Sequence, residues 1–289
     1  MGKLKMKKKL KKCEICEKSR AKRNKTEAVF GWGVEMKIKH YSSFHKILLV
    51  GEGDFSFALC LAKSFGSASN MVATSLDSGE ELKVKYSKAM KNLMELENMG
   101  CKIFHGVDVH TMLHHPQLTR MEFDQIIFNF PHAGCSNFRC LSEKKQHYIL
   151  LHQSLVKGYF KSSREMLTRS GEIHVTHKTS YPFNEWEIEN LAEEAGLFLV
   201  KEEKEFSIRD YPDYLNKRCA GKCDVYFHVG EASTFRFSKR LYPPAASSFR
   251  PGALSISTWS DDIVDMACTY LESLEMKTSK KRYKIWRSL

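Results

Sequence analysis

The sequence predicts an α/β fold with a mostly parallel, seven-stranded sheet, helices on both of its faces and a final antiparallel hairpin. Short apolar runs typical of buried strands alternate with longer amphipathic stretches from residue 46 onwards, which is the pattern of a parallel sheet with crossover helices. The last two apolar runs flank residues 207–223, which contain one proline, one glycine and two aspartates. This loop leaves no room for a crossover helix, so it predicts an antiparallel pair.

Apolar runs and glycine stops define the elements in chain order. The run KILLV, which ends at Gly51, predicts the first strand, and the apolar stretch before Gly66 predicts the first helix. The next strand ends at Asp77, and the amphipathic stretch after it closes at Gly100, since glycine commonly ends helices. The predicted strands are residues 46–50, 71–76, 101–105, 123–130, 171–176, 197–206 and 224–229. The predicted helices are residues 55–65, 80–99, 141–168 and 184–195.

Charge divides the chain into three parts. Residues 1–25 carry twelve Lys or Arg and two Glu, and residues 277–289 carry six Lys or Arg and no acid, whereas acids outnumber bases between them. Basic ends attract polyanions, because each neutralised phosphate releases counterions. RNA is therefore the expected partner, and a solubilising or nuclear-addressing tail is the alternative. Residues 1–44 are predicted to be a basic, mostly disordered leader, and residues 45–240 are predicted to be one domain. Residues 241–289 are predicted to be an extension that contains one helix at residues 261–276.

The cysteines and the apolar runs exclude several classes of protein. Nine cysteines form no regular framework and follow no secretory signal, so we expect reduced thiols. Cys13 and Cys16, together with Cys219 and Cys223, would provide the four ligands of a zinc site, but free thiols without a metal are the preferred interpretation. No apolar run approaches the roughly 18 residues of a membrane-spanning helix. We therefore expect no membrane contact, and we assume a monomer.

The most informative motif is the turn VGEGDFSF between the first predicted strand and the first predicted helix. Ligands of open α/β sheets bind beyond the carboxyl ends of the strands, and Gly51 and Gly53 permit a tight turn there. Glu52 and Asp54 lie within the turn, where carboxylates repel a pyrophosphate and favour a cationic ligand. S-adenosyl-L-methionine carries an ammonium and a sulfonium group and no phosphate, so we predict it as the cofactor. Glycines with a purely structural role are the alternative.

Two further aspartates follow the second and third predicted strands. Asp77 ends the second strand, where a carboxylate can accept hydrogen bonds from both ribose hydroxyls. Asp108 follows the third strand, where it can accept a hydrogen bond from the adenine amino group. Each of them alone is better explained as a loop aspartate or a helix cap. Their order after successive strands, together with the acidic turn, favours a binding role.

The fourth strand ends in the tetrapeptide NFPH. If the strand order reverses at the first strand, this tetrapeptide faces the same crevice as the acidic turn. Asn129 can hold the edge of a planar amide or base, Phe130 can stack on a flat substrate, and Pro131 fixes the loop. His132 can act as a base or as an orienting donor. The alternative is a strand-end asparagine and a loop histidine without a catalytic role.

Several motifs together resemble one known family. VGEGDFSF, TSLD, GVD and FNFPH, with the later YPDYLNKR and CDVYFHVGEASTFRF, are similar to the eukaryotic large-subunit (25S) rRNA (uridine-N3) methyltransferases, a class I S-adenosylmethionine-dependent family. The resemblance covers residues 45–240 and implies the seven-stranded, Rossmann-like fold of class I methyltransferases. It further implies that Gly51, Glu52, Gly53 and Asp54 hold the methionine end of the cofactor, Asp77 the ribose and Asp108 the adenine.

The NFPH tetrapeptide departs from the related motif of amino-directed methyltransferases. That motif reads Asn/Asp-Pro-Pro-aromatic, and this sequence has Phe130 at the place of the first proline and His132 at the aromatic place. The resemblance nevertheless implies methyl transfer to N3 of a uridine in rRNA of the pre-ribosome. We expect Asn129 to orient the imide and His132 to act as base or proton relay.

The expected substrate contacts and location complete the interpretation. Phe130 and Pro131 are expected to contact the base, while Lys178 and Arg218 are expected to hold backbone phosphate. The resemblance places the protein in the nucleus or nucleolus, with the cytoplasm as the alternative. Two other functions stay open: a non-catalytic protein of the same fold that binds S-adenosyl-L-methionine or RNA, and a methyltransferase acting on protein or a small molecule.

Overall fold

A computed structural model describes residues 34–134 and 146–239 of the chain. The described residues belong to one compact unit. Most of the predicted leader, the predicted extension and its helix lie outside these ranges, as do Cys13 and Cys16. Within the described residues, no helix is long and apolar enough to cross a bilayer.

Among residues 34–134 and 146–239, nine strands form one small hairpin and one large sheet. The strands are β1 (Lys37–Ile38), β2 (Tyr41–Ser42), β3 (Ile47–Leu49), β4 (Met71–Thr74), β5 (Lys102–Phe104), β6 (Phe123–Asn129), β7 (Leu167–Lys178), β8 (Leu197–Glu203) and β9 (Ala232–Lys239). β1 and β2 pair as a hairpin, and the other seven form a sheet in the order β5-β4-β3-β6-β7-β9-β8. β3, β4, β5, β6 and β7 pair in parallel, whereas β9 is antiparallel to both β7 and β8.

This topology confirms the predicted sheet and corrects its last strand. The strand order reverses at β3, which lies between β4 and β6, so the turns after these strands share one edge. The prediction placed the final strand at residues 224–229, but the strand is Ala232–Lys239. Phe235 and Phe237 in β9 are buried, whereas Val225 and Tyr226 are 44% and 52% exposed. The apolar run at 224–229 therefore belongs to the loop, and burial selects the later run.

In the part of the chain that the structure describes, five α-helices and three short 3₁₀ turns connect the strands. The helices are α1 (Ser56–Phe65), α2 (Gly79–Lys85), α3 (Ala89–Asn98), α4 (Gln146–Met166) and α5 (Ile188–Glu194). The 3₁₀ turns are Met112–His114, Phe183–Trp186 and Ile208–Asp210. α1, α2 and α3 cover one face of the sheet around Phe57 and Leu93. α4 and α5 cover the other face around Tyr159 and Leu191.

The predicted single helix over residues 80–99 is wrong, because the chain breaks between α2 and α3. Tyr86 has an extended backbone with φ −135°, its side chain is buried, and its hydroxyl donates to the Arg218 carbonyl at 3.0 Å. The break thus lets Tyr86 reach a distant loop. α2 itself begins with a capping box between Ser78 and Glu81, a signal that stabilises helix starts.

The described structure begins before the predicted domain boundary at residue 45. β1 and β2 form a hairpin at residues 37–42, and Tyr41 is buried with only 1% exposure. Tyr41 lies against Phe57 of α1 and His174 of β7. Residues 34–44 are therefore part of the packed domain rather than of the leader, and burial of this aromatic ring explains why.

Candidate active site

The turn after β3 has the backbone shape that its glycines predict. Gly51 has φ +67°, and a Cβ atom placed on it would lie 2.4 Å from Cε2 of Phe128. A Cβ on Gly53 would lie 3.0 Å from the hydroxyl of Tyr86. Phe55 also has a left-handed backbone, with φ 61°, and is fully buried. The turn is thus a close-packed left-handed structure that leads directly into α1.

Glu52 is directed into the protein rather than toward solvent. Its Oε2 accepts the backbone N–H of Ala58, in the first turn of α1, at 3.2 Å. Burial raises the pKa of Glu52 to about 8, although the hydrogen bond from Ala58 acts in the opposite direction. At neutral pH the carboxyl is therefore mainly protonated. Because helix starts have unpaired N–H groups, this contact accounts for Glu52 without a ligand.

The buried carboxyl of Glu52 makes stability fall with rising pH. Its folded pKa of about 8 lies above its ordinary value of 4.5, so the folded state binds the proton more tightly. The stabilisation is complete below pH 4.5 and is lost as the pH rises through 8, at up to about 1.4 kcal/mol per pH unit. Between pH 6.5 and 8 the histidines of the unfolded chain, with an ordinary pKa near 6.5, also lose protons. They do so equally in wild type and in a Glu52 variant, so the difference between the two proteins isolates this effect.

We expect Glu52→Gln to flatten this slope, because an amide has no proton to lose. The measurement is the free energy of unfolding in urea at several pH values between 6.5 and 8, for wild type and variant. Glu165→Gln is the matched control, since Glu165 is an exposed glutamate at the end of α4. Equal slopes in wild type and Glu52→Gln would contradict the placement of Glu52.

Asp54 combines a structural contact with an unpaired oxygen. Its Oδ1 accepts the N–H of Ser56 at 3.0 Å, and its backbone carbonyl accepts the side-chain amide of Asn92 at 2.7 Å. Its Oδ2 is buried and has no hydrogen-bond partner within the described ranges. Burial raises the pKa of Asp54, against the hydrogen bonds from Ser56. A buried carboxylate oxygen without a partner is costly, and a ligand ammonium would satisfy it.

The segment between β8 and β9 covers this turn. Ser56 Oγ accepts the N–H of Leu215 at 2.9 Å and lies 3.3 Å from the Leu215 carbonyl. The ammonium of Lys217 is held by the Asp224 carboxylate at 3.1 Å and lies 4.1 Å from the centre of the Tyr226 ring. This segment therefore forms a second wall of the site.

The two later aspartates lie at the same edge of the sheet. Asp77 is half-buried after β4, and its Oδ1 accepts the ammonium of Lys85 at 2.5 Å. Asp108 is half-buried after β5, and its Oδ1 accepts the N–H of His110 at 2.9 Å. The fold thus brings Asp77 and Asp108 to the edge where the glycine turn lies. In the free protein, the carboxylate of Asp77 is shared with Lys85.

Asn129 lies at the end of β6 with a buried, unsatisfied amide. Neither Oδ1 nor Nδ2 has a hydrogen-bond partner among the described residues, although both atoms are buried. β6 pairs with β3, so Asn129 ends a strand next to the glycine turn. Buried amides are normally paired, and such an exception at a strand end is typical of a ligand-binding position.

Phe130 and Lys178 belong to one aromatic cluster. Phe130 has φ 47°, and its ring makes edge-to-face contacts with Phe206 at 5.4 Å and Phe227 at 5.1 Å. The Lys178 ammonium lies 5.3 Å from the centre of the Phe227 ring and 4.6 Å from that of Phe183. Pro131 is buried beside Phe130. The exposed Arg218 is separate: its backbone carbonyl contacts Tyr86, near the glycine turn.

His132 is oriented by its neighbours. The N–H of Gly134 donates to its Nδ1 at 3.0 Å, and its Nε2 lies 3.4 Å from the Tyr148 hydroxyl. Burial lowers the pKa of His132, so the ring is neutral at physiological pH. With Nδ1 accepting, the hydrogen of the neutral ring is assigned to Nε2. In this arrangement His132 is a hydrogen-bond donor.

Three residues of this site were not predicted from the sequence. Asn92 is a buried polar residue on the apolar face of α3, and Tyr86 stands where the predicted helix breaks. Tyr148 contacts His132 from α4. An asparagine within the apolar stripe of α3 was the one signal available in advance. The described residues contain no cluster of three metal-ligating side chains, and within the same ranges Cys219 and Cys223 form no disulfide.

Comparison with known proteins identifies the family. A family model described as rRNA (uridine-N3-)-methyltransferase BMT5-like matches residues 48–218. The chain is 51% identical to an uncharacterized protein of Arabidopsis thaliana over 207 residues, which are 71% of this chain and 98% of that protein. It is 24% identical to the 25S rRNA (uridine(2634)-N(3))-methyltransferase of Saccharomyces cerevisiae, over 65% of this chain and 70% of that enzyme.

The solved structures are similar in fold alone. TrmN from Thermus thermophilus, for example, aligns with a TM-score of 0.41 and 15% identity, over 68% of this chain and 44% of that one. The sheet order, with its antiparallel β9, is that of the predicted Rossmann-like class I methyltransferase fold. Since the family model spans more than half of the sequence and includes the glycine turn, Asp77, Asp108 and the NFPH tetrapeptide, the chain belongs to the BMT5-like family of rRNA methyltransferases.

Proposed function

We propose that this protein transfers a methyl group from S-adenosyl-L-methionine to N3 of a uridine in large-subunit rRNA. One observation carries the proposal: two unsatisfied buried groups lie at the ends of adjacent strands. Asp54 Oδ2 follows β3 and the Asn129 amide ends β6. The first suits an ammonium and the second suits the polar edge of a base. The family match and the 24% identical yeast enzyme support the uridine assignment.

The donor set fits the proposed cofactor. Asp54 would bind its ammonium, while the tight turn that Gly51 and Gly53 permit would hold its methionine end. Asp77 would accept from the ribose and Asp108 from the adenine amino group. When bound, S-adenosyl-L-methionine supplies the electrophilic methyl group. Glu52 contributes by fixing the start of α1 rather than by its charge, because it is mainly neutral at pH 7.

The remaining residues would position the base and stabilise the negative charge that develops on it. The imide N3–H would release its proton to solvent water before N3 accepts the methyl group, and negative charge then builds on the flanking carbonyl oxygens. Nδ2 of Asn129 would donate to one of these oxygens, which stabilises that charge in a buried site. His132 would orient the same edge through Nε2–H, and Phe130 would stack on the base. Lys178 and Arg218 would hold phosphate on either side.

The proposal includes RNA of the pre-ribosome as partner and the nucleus or nucleolus as location, in line with the family. A non-catalytic protein of the same fold is the competing function. The match to a family model of rRNA methyltransferases favours catalysis over this alternative.

The test measures cofactor binding and product separately. We expect calorimetry to detect binding of S-adenosyl-L-methionine and Asp54→Asn to weaken it roughly 10- to 100-fold, because a charged hydrogen bond is lost. Mass spectrometry of nucleosides from rRNA incubated with protein and cofactor is expected to show 3-methyluridine. Asp124→Asn is the matched control, since Asp124 lies at the opposite end of β6. Binding without any methylated nucleoside would favour the non-catalytic alternative.

A further inference from the structure

A cavity of about 370 Å³ lies outside the site described above. It opens between the β1–β2 hairpin and the β8–β9 pair, and we call it the flank cavity. Its lining includes Lys39, His40, Lys201, Lys204, Phe206 and Arg236. The Nε2 atom of His40 is buried and has no hydrogen-bond partner among the described residues. The cavity is thus polar and has the size of a small ligand.

The flank cavity shares a wall with the aromatic cluster of the candidate active site. Phe206 lines the cavity and also contacts Phe130 edge to face at 5.4 Å. On its other side, Phe206 stacks on Tyr211 with 5.5 Å between ring centres. An extended polymer with one unit at Phe130 can therefore place a neighbouring unit in the cavity by crossing a single ring.

Three lysine ammonium groups lie at the cavity, and carboxylates hold two of them in place. Lys39 pairs with Asp210 at 2.6 Å and Lys201 pairs with Glu203 at 2.8 Å, while Lys204 is 77% exposed. The carboxylates do not prevent an anion from binding, because each ammonium keeps further N–H donors. The pairs also fix long side chains that would otherwise lose entropy on binding.

Carboxylates and the free imidazole nitrogen also determine which anion fits. A bare phosphate would lie beside the carboxylates of Glu203 and Asp210, which already pair with lysines, and it would leave Nε2 of His40 without a partner. A nucleotide uses both kinds of group, since its phosphate accepts from lysines and its ribose hydroxyls donate to carboxylates. The basic residues 1–25 precede Lys39 closely in the sequence, so a polyanion is attracted to this part of the chain.

We propose that the flank cavity binds a nucleotide that neighbours the target uridine in the same RNA strand. Lys39, Lys201 and Lys204 contact its phosphate groups, and Phe206 separates it from the target base. This inference rests on the proposed function, because it takes RNA as the substrate. It adds a second contact point, which fixes the direction in which the strand crosses the edge of the sheet.

The test removes the three lysines and measures the salt dependence of RNA affinity. The probe is a fluorescein-labelled, single-stranded oligouridylate followed by anisotropy. Each lost phosphate contact lowers the slope of log affinity against log salt by about 0.7 for single strands, so Lys39→Ala/Lys201→Ala/Lys204→Ala is expected to lose about 2 from the slope. The control is Lys88→Ala/Lys91→Ala/Lys102→Ala, which removes three exposed lysines that do not line the cavity and is expected to keep the wild-type slope.

A measurement without mutations accompanies this comparison. We expect oligouridylate to slow hydrogen exchange of residues 201–210 in the wild-type protein and to leave residues 88–102 unchanged. Equal slopes for both triple variants would overturn the inference while leaving the proposed function intact. Absence of oligouridylate binding by the wild type would contradict both the inference and the proposed function. Protection of residues 201–210 by an oligoglutamate peptide but not by oligouridylate would indicate an acidic protein partner and would likewise overturn the inference.

Discussion

Replacing Gly51 with alanine is expected to lower the free energy of unfolding by about 3 kcal/mol. A left-handed backbone costs an L-residue about 1–2 kcal/mol, and φ is +67° at this position. The new Cβ would also lie 2.4 Å from Phe128 Cε2, and overpacking in a core adds about 1–3 kcal/mol. Phe128 has little room to move, because it is buried and packs against Tyr159 at 5.3 Å. Chemical denaturation measures the loss.

Gly106 provides a matched control for this substitution. It has nearly the same backbone, with φ +68°, but no heavy atom lies within 4 Å of the position its Cβ would take. Gly106→Ala is therefore expected to cost only the backbone term, about 1 kcal/mol. Equal losses at the two glycines would show that contact with Phe128 does not determine the shape of the turn.

Replacing Asn129 with leucine is expected to abolish most activity while maintaining or increasing stability. Leucine has a similar size, and it removes a buried amide that has no partner in the described structure. Removing such a group can raise the free energy of unfolding by about 1 kcal/mol. Loss of a donor aimed at developing charge is expected to slow methyl transfer roughly 100-fold or more. The measurements are urea unfolding and the rate of 3-methyluridine formation in rRNA.

Asn92 distinguishes this effect from the general cost of replacing an asparagine. Its amide donates to the Asp54 carbonyl at 2.7 Å, and only 7% of the residue is exposed. Asn92→Leu leaves that carbonyl without its donor, so we expect a loss of about 1–3 kcal/mol. If Asn129→Leu destabilised the protein to the same extent, the amide of Asn129 would have a structural partner and the proposed role would fall.

Local sequence patterns predicted most of the sheet because burial and chain order act together there. The run KILLV and the runs ending at Asp77 and Asn129 are apolar in a way that only buried strands allow, and all of them appear in the sheet. The last strand was placed wrongly because residues 224–229 contain four apolar residues among six, whereas Ala232–Lys239 contains three among eight. Only the tertiary structure decides which of the two pairs with β7.

The positions of the site residues were predictable from sequence, but the directions of their side chains were not. The glycine turn, Asp77, Asp108 and Asn129 meet at one edge because parallel strands end there. Glu52, however, is directed inward to Ala58, and its neutral state follows from burial that no local pattern reveals. The break at Tyr86 likewise depends on the Arg218 carbonyl, which is far away in the sequence.

The contact between Ser56 and Leu215 has a consequence for the order in which the protein matures. It joins positions 159 residues apart, and such distant contacts form late because a long loop must close first. During synthesis, the early strands and α1 leave the ribosome well before their covering segment. The candidate site is therefore completed only after nearly the whole described chain has emerged, so under the proposed function a nascent protein would gain affinity for S-adenosyl-L-methionine at the end of folding rather than at the start.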